Sequence, residues 1–202
     1  TLLVKDMPMR ETNKATVQRR LKDLNYTRRY FVGNGIDIGG GDDSLAQFLG
    51  YFPLMHSVRT WDVQDGDGQY LNGITDNSFD FVYSSHCLEH LHDPIIGLQN
   101  WLRVLKPRGF LVVSVPDEDL YEGGIWPSIK NHDHKFSFTL YKQQSEMPNS
   151  INVMGLAAHF ADQVEIERIV QVRDFYREDL PPHIDQTLGN AECAIEFVWR
   201  KK

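Results

Sequence analysis

Residues 35–41, GIDIGGG, restrict the fold of this chain more than any other stretch. Three successive glycines lose too much backbone freedom to lie inside a helix or strand. The apolar run Ile36–Ile38 must therefore end there, in a turn. Ser44, a good helix-capping residue, then opens a helix through Leu45, Phe48 and Leu49. Strand, glycine turn and helix in that order make the first half of a β-α-β unit. Such a unit needs a parallel partner strand and cover on both faces.

The chain downstream supplies those parts. Residues 57–63 (SVRTWDV) read as a second strand, and 64–77, dense in Gly, Asp and Asn, as loop. Residues 79–85 (FDFVYSS) read as a third strand, and 94–105 (PIIGLQNWLRVL) as a helix with Pro94 in its first turn. Lys106-Pro107-Arg108-Gly109 stops that helix. Residues 110–115 (FLVVSV) follow, almost wholly apolar, as a strand buried on both faces. Strands alternating with helices predict a mostly parallel sheet with helices on both faces. Residues 164–173 and 193–200 alternate apolar and polar side chains and predict two late strands, antiparallel to each other. Residues 117–150 form an insertion rich in aromatics and histidine, expected to cover the site. Near the start, 12–24 reads as a polar helix with Val17, Leu21 and Leu24 on one face. Arg19, Arg20, Lys22, Arg28 and Arg29 make this segment basic: either a solvated face or a grip on an anionic substrate.

Composition narrows the function classes. With 202 residues, 41% hydrophobic, 11% aromatic and 24% charged, the chain fits one globular domain over 1–202, its first 32 residues an N-terminal helical segment. The net charge of -7 makes it a poor general binder of nucleic acid. No apolar run approaches the roughly 18 residues of a membrane span. The opening TLLVKDMPMR has neither the cationic start nor the apolar stretch of a signal peptide. Cys87 and Cys193 are far apart and follow no C-x-x-C pattern, which fits a reducing cytoplasm.

A glycine turn between strand and helix lets a ligand approach the backbone. Asp62, about 20 residues further on at the end of the second strand, is placed to accept ribose hydroxyls. Together they predict an adenosine-type cofactor. The turn reads G-G-G-D-D-S from Gly39, not G-x-G-x-x-G. Asp37 just before it would repel a pyrophosphate and suit the ammonium of an amino acid. The expectation is S-adenosylmethionine, not a nicotinamide dinucleotide.

At this point the chain resembles the class I S-adenosylmethionine-dependent methyltransferases, and most of all a small bacterial methyltransferase-domain subgroup. The resemblance is carried by GIDIGGG (35–41), WDVQDGDGQYL (61–71), DNSFDFVYSSHCLEHLHDP (76–94) and LRVLKPRGFLVVSVPD (102–117). It implies a Rossmann-like seven-stranded, mostly parallel sheet with an antiparallel final strand. It places the methionine end of S-adenosyl-L-methionine at Asp37 and the turn Gly39, Gly40, Gly41, with Ser85 at a nearby strand end. It places the ribose at Asp62 and the adenine at Asp67, Gly68 and Gln69. Two features depart from the family: position 43 is Asp where a third glycine is usual, and the helix usual after the second strand is almost absent.

Two histidine clusters remain. His86-Cys87-Leu88-Glu89-His90 spells H-x-x-E-H, a zinc pattern that needs a helix to bring both histidines to one face. Here it begins at a strand end, so no metal is assigned. His90 is taken as a framework residue. His86, just past the strand's carboxyl end, is a candidate base for a hydroxyl proton. His132-Asp133-His134 suits a base or a metal, but no third ligand is evident, and His132 and His134 join His86 as candidate catalytic residues. Asp117, Glu118, Tyr121 and Trp126 are candidates for binding a polyol acceptor. These features predict methyl transfer to a small polar acceptor, phosphorylated or nucleotide-linked, such as a sugar in bacterial surface-polysaccharide synthesis. An amine acceptor or a non-catalytic cofactor-binding role are the alternatives, and a homodimer is compatible with either.

Overall fold

The computed structural model describes residues 10–202. The reading of the opening residues as no signal peptide lies outside the described residues. Eight strands and three α-helices follow in chain order: α1 Glu11–Gln18, β1 Gly33–Ile38, β2 Met55–Trp61, β3 Phe79–Ser85, α2 Pro94–Val104, β4 Leu105–Pro116, β5 Ser137–Thr139, β6 Ser150–Asn152, α3 Val153–His159, β7 Val164–Val172 and β8 Ala194–Lys201. The main sheet runs β2-β1-β3-β4-β8-β7. β1 to β4 are mutually parallel, and β8 is antiparallel to both β4 and β7. The final strand is thus the antiparallel one, as expected. The sheet has six strands where the resemblance implies seven. The missing strand would fall in 62–78, where successive turns, Asp65 N–H to Asp62 C=O and Tyr70 N–H to Asp67 C=O, tie the backbone locally. β5 and β6 form a small parallel ribbon inside the insertion.

Period-2 alternation sorts the core onto two faces. Val82 of β3 and Leu111, Val113 and Val115 of β4 point to one; Phe81, Tyr83 and Val112 point to the other. The first face is covered by α2 through Leu98, Trp101 and Leu102, and by α3 through Leu156 and Ala157. Each such apolar side chain contributes roughly 1.5–3 kcal/mol of transfer free energy before chain entropy is set against it. α2 starts where predicted because Asp93 Oδ1 accepts the Ile95 and Ile96 N–H groups at 2.9 and 3.1 Å.

The second face carries short tight helices. A π-helical turn, Tyr26–Tyr30, and a 3-10 segment, Leu45–Tyr51, pack Tyr26, Tyr30, Phe48 and Phe52 around Phe31, Phe81 and Tyr83. Ser44 does cap the latter segment through the Ala46 N–H, but the expected α-helix is 3-10. The buried Asp37 carboxylate takes the Leu45 N–H at 2.7 Å. Pro53 lies two residues past the segment's end at Tyr51.

The N-terminal segment differs most from expectation. α1 ends at Gln18, and Val17 and Leu24 are exposed. Its buried face is polar and includes Lys14, while Arg20 is buried just beyond the helix. Glu196, fully buried on β8, is the cause. It accepts Arg19 Nη1 at 2.7 Å and Nη2 at 3.0 Å, Arg20 Nε at 3.1 Å, and the Tyr26 hydroxyl. Arg19 Nε also meets Glu192 at 3.0 Å, and Lys14 Nζ donates to the Thr187 and Ala191 carbonyls. Arg19 and Arg20 therefore neither face solvent nor grip a substrate. They fasten the segment to the sheet.

Candidate active site

The glycine turn does what its sequence requires. Gly39 has φ +79°, and a Cβ there would lie 2.7 Å from Cys87 Sγ. A Cβ on Gly40 would meet the Asp37 carboxylate at 2.7 Å, and one on Gly41 would come 3.1 Å from Asp62 Oδ2. The turn thus brings bare backbone between the two acids. Asp37 is buried, with Oδ2 on the Leu45 N–H and Oδ1 unpaired among the described residues. Burial pushes its carboxyl up to about 7, against the opposing pull of the Leu45 N–H. A buried carboxylate with one free oxygen beside a glycine turn fits a ligand ammonium, which would stabilise the charged form.

A cavity of ≈ 360 Å³ opens at the carboxyl ends of β1, β2 and β3. Gly39, Asp62, Asp67, Gly68, Cys87 and His90 are among its lining residues. Asp62 Oδ1 accepts the Val63 N–H, which leaves Oδ2 facing Gly41. Asp67 Oδ1 accepts the Gln69 N–H at 2.8 Å. Gln69 itself is buried, its Oε1 holding the Asp93 N–H at 2.8 Å, so it braces the start of α2 and does not line the cavity. Gly68 is fixed from behind by Trp101 Nε1, which donates to its carbonyl at 2.8 Å. Val63, 87% exposed, and Leu91 supply apolar walls that sequence reading did not single out. The bare turn, the acid across from it and the apolar walls fit an adenosyl amino acid. Cys87 carries no reactive thiolate, because burial and Glu89 push its thiol up to about 12.

Asp43, where the resemblance implies a glycine, has a different task. Its two carboxylate oxygens accept the Thr12 and Asn13 N–H groups at 2.7 and 3.2 Å. It caps α1 from a distance and sets the N-terminal segment above the turn. This brings Glu11 to His86, 3.8 Å from Nε2, while Glu89 Oε1 stands 3.5 Å from Nδ1. Burial opposes the charged imidazole, but the close carboxylates of Glu89 and Glu11 outweigh it and raise the His86 pKa. Sequence reading placed His86 correctly at the end of β3 but could not see either acid beside it. Ser85, the last residue of β3, lies opposite Ser114 of β4.

The insertion closes against Glu89, whose carbonyl accepts the Lys135 and Phe136 N–H groups at 2.9 and 3.3 Å. Most of its predicted acceptor residues turn inward. Asp117 Oδ1 accepts the Asp119 and Leu120 N–H groups, and Oδ2 accepts Gln171 Nε2. Glu118 is ringed by Lys142 Nζ at 2.8 Å and the Ser145 and Ser150 hydroxyls. Burial opposes its charge, yet these donors hold its carboxyl below the ordinary value. Tyr121 is buried with its ring 5.3 Å from that of His134, and Trp126 is half-buried. Asp117 and Glu118 thus organise the insertion itself. His132 is exposed and lines an open basin with His90, Asp133, His134 and Lys135. His90, taken from sequence as framework, lines both the basin and the 360 Å³ cavity. The H-x-x-E-H stretch is not an α-helix, since only Leu88–His90 forms a 3-10 turn.

Arg28 and Arg29 lie elsewhere. They line a basic cavity of ≈ 590 Å³ with His56, Lys106 and Arg108, at the amino ends of the parallel strands. Of the two readings of segment 19–29, the grip on an anionic substrate is thereby not supported at the 360 Å³ cavity, which none of its arginines lines.

Comparison with known proteins agrees with this geometry. Residues 36–113 match the family profile of a methyltransferase domain. A search of curated proteins finds no match. Among solved structures, the chain is similar to a proposed S-adenosylmethionine-dependent methyltransferase from Listeria monocytogenes, at 12% identity and a TM-score of 0.56, over 91% of this chain and 96% of that one. The methyltransferase of an activator–methyltransferase complex from Haloferax volcanii is 15% identical, with a TM-score of 0.52 over 94% and 97% of the two chains. An S-adenosylmethionine-dependent methyltransferase from Thermotoga maritima, for which histamine N-methylation is suggested, is 19% identical, with a TM-score of 0.51 over 84% and 82%. The stretch that matches the methyltransferase-domain family, residues 36–113, holds the glycine turn, Asp62, Asp67 and the Leu88-Glu89-His90 turn, and the solved structures share its fold, a parallel sheet closed by an antiparallel last strand.

Proposed function

We propose that this protein methylates a hydroxyl of a small polar acceptor, a sugar or nucleotide-linked sugar of the kind built into bacterial surface polysaccharide, with S-adenosylmethionine as donor. The observation that carries the reading is His86, held between Glu11 and Glu89 next to the cavity-lining Cys87. The bound cofactor supplies an activated methyl group. The chain must then align the acceptor for in-line attack and take up its proton. His86 is the base: flanking carboxylates orient its ring and stabilise the imidazolium formed on proton uptake. Asp37 and the Gly39–Gly41 turn would hold the amino-acid end, Asp62 the ribose, and Asp67 with Gly68 the adenine edge. The open basin, with His132 and Lys135 on its wall, offers donors to sugar hydroxyls or to a phosphate, a task sequence reading assigned to segment 19–29.

An amine acceptor is the second reading. It is favoured by the acids Glu11 and Glu89 around His86 and by the suggested substrate of the Thermotoga relative.

Thermal melting with S-adenosylmethionine and S-adenosylhomocysteine tests the cofactor. A ligand of the native state at 100 times its Kd adds about 2.7 kcal/mol. A panel of sugars, nucleotide sugars and amines then tests the acceptor. His86→Ala is expected to lower kcat by roughly 10²–10⁴ while the cofactor-induced shift persists. Turnover of amines alone would replace the hydroxyl reading. Cofactor binding without turnover on any acceptor would favour a binding role.

A further inference from the structure

We propose that Glu89, His90 and His134 hold a divalent transition-metal ion, zinc being the representative case. Glu89 is fully buried, and neither of its carboxylate oxygens has a hydrogen-bond partner among the described residues. Leaving a buried carboxylate so exposed to its own charge is costly unless a cation compensates it. Three imidazole nitrogens face Oε1: His86 Nδ1 at 3.5 Å, on the side of Glu11, and His90 Nε2 at 3.9 Å and His134 Nε2 at 3.8 Å, on the side of the insertion. One ligand atom from each of Glu89, His90 and His134 falls within 4.8 Å of the others. Tetrahedral zinc, with bonds of about 2.0–2.1 Å, needs ligand atoms roughly 3.4 Å apart. Each side chain would close by about half an ångström, a shift that rotamer adjustment supplies.

The outer contacts favour an ion over a simple ionic cluster. His134 Nδ1 is 2.7 Å from the buried Glu122 Oε1, and His90 Nδ1 is 3.2 Å from the Asp133 carbonyl. Both histidines thus carry a proton acceptor at Nδ1, which leaves Nε2 with its lone pair directed at Glu89. That is how metal-binding histidines are oriented: the far nitrogen is held by a carboxylate or carbonyl. Three protein ligands of this type leave a position for water or another oxygen donor. Since His90 lines both the cofactor cavity and the open basin, the ion would lie between them. The site joins the halves of two sequence patterns, H-x-x-E-H and H-x-H, neither of which has enough ligands alone. It does not depend on the methyl acceptor or on methyl transfer.

The full chain, purified without a polyhistidine tag and stripped by chelation, is titrated with Zn²⁺ against a chromophoric chelator, and separately with Co²⁺ while its visible spectrum is recorded. One equivalent of zinc is expected, together with the strong visible absorption of four-coordinate Co²⁺. His90→Ala, at a partly exposed position that the fold tolerates, and His134→Ala are each expected to weaken zinc by on the order of 100-fold. Glu122→Gln should weaken it by roughly 10–100-fold by loosening His134. His56→Ala, on the opposite edge of the sheet, should change nothing. Substoichiometric zinc, or a full equivalent whose affinity is unaltered by both His90→Ala and His134→Ala, would overturn the proposal.

Discussion

Asp37 shows how a single residue couples local geometry to ligand chemistry. Its position before the glycine turn is legible in the sequence, because GIDIGGG sets an acid directly beside bare backbone. Its protonation is not, because burial beneath the 3-10 segment is a tertiary effect. An acid whose folded pKa is raised binds more protons in the native than in the unfolded state. Its contribution to stability is full below the unfolded value near 3.9 and falls as pH rises through about 7. On the proposed assignment a ligand ammonium sits against Asp37 and reverses this preference, so that ligand binding expels the proton. The affinity for S-adenosylhomocysteine is expected to rise by up to about tenfold per pH unit below pH 7 and to level off above it. Calorimetry in buffers of different ionisation heat should show the released proton. Asp37→Asn should bind more weakly at high pH and lose the pH dependence. A slope that survives in Asp37→Asn would place the titrating group elsewhere.

Among the elements, α1 depends most on a distant residue. Its own N-cap, Arg10, supplies no side-chain bond, and Asp43 does so from the cofactor turn. Asp43→Ala should cost about 0.5–2 kcal/mol, the usual range for a lost cap. Hydrogen exchange over α1 should accelerate more than over β3. Asp43→Gly, which places the glycine that the resemblance implies, should lose the same cap, and protection of α1 undiminished from that of the unaltered protein in both variants would refute the assignment. Four other elements followed their local signals closely. β3, α2, β7 and β8 begin within two residues of the predicted positions, since period, Pro94 and Asp93 all act through neighbours in sequence. α3 was not predicted, because seven residues with a mid-helix Gly155 make a weak local signal.

At the scale of the whole molecule, buried charge joins the N-terminal segment to β8, the strand between β4 and β7. Burial opposes ionisation of Glu196, but Arg19 and Arg20 hold its carboxyl well below the usual carboxylate range. An acid with a depressed folded pKa contributes stability above its unfolded value near 4.3, and that contribution is lost as pH falls. The protein should therefore lose stability steeply under acid, below about pH 4.5. Glu196→Gln leaves two buried guanidinium groups without their partner and should cost roughly 3–5 kcal/mol. At about 2–4 °C per kcal/mol for a chain this long, Tm should fall by on the order of 10 °C. The variant should also lose much of the acid dependence. An unchanged Tm would mean that the Arg19–Arg20–Glu196 cluster is dispensable.

The sequence by itself determined the parallel core, the antiparallel last strand, the glycine turn and the acid across the cavity from it. Each rests on short-range rules: hydrophobic period, turn chemistry and the spacing of a β-α-β unit. Only the tertiary structure decided which charges meet. Arg19 and Arg20 read as a surface charge run until β8 brought Glu196 beneath them. Gln69 read as a ligand contact until α2 claimed its amide. His90 read as framework until the insertion folded back and set His134 beside it. Charges and hydrogen-bond donors act over a few ångströms in space, whatever their separation along the chain, so their partners emerge only when the sheet is assembled.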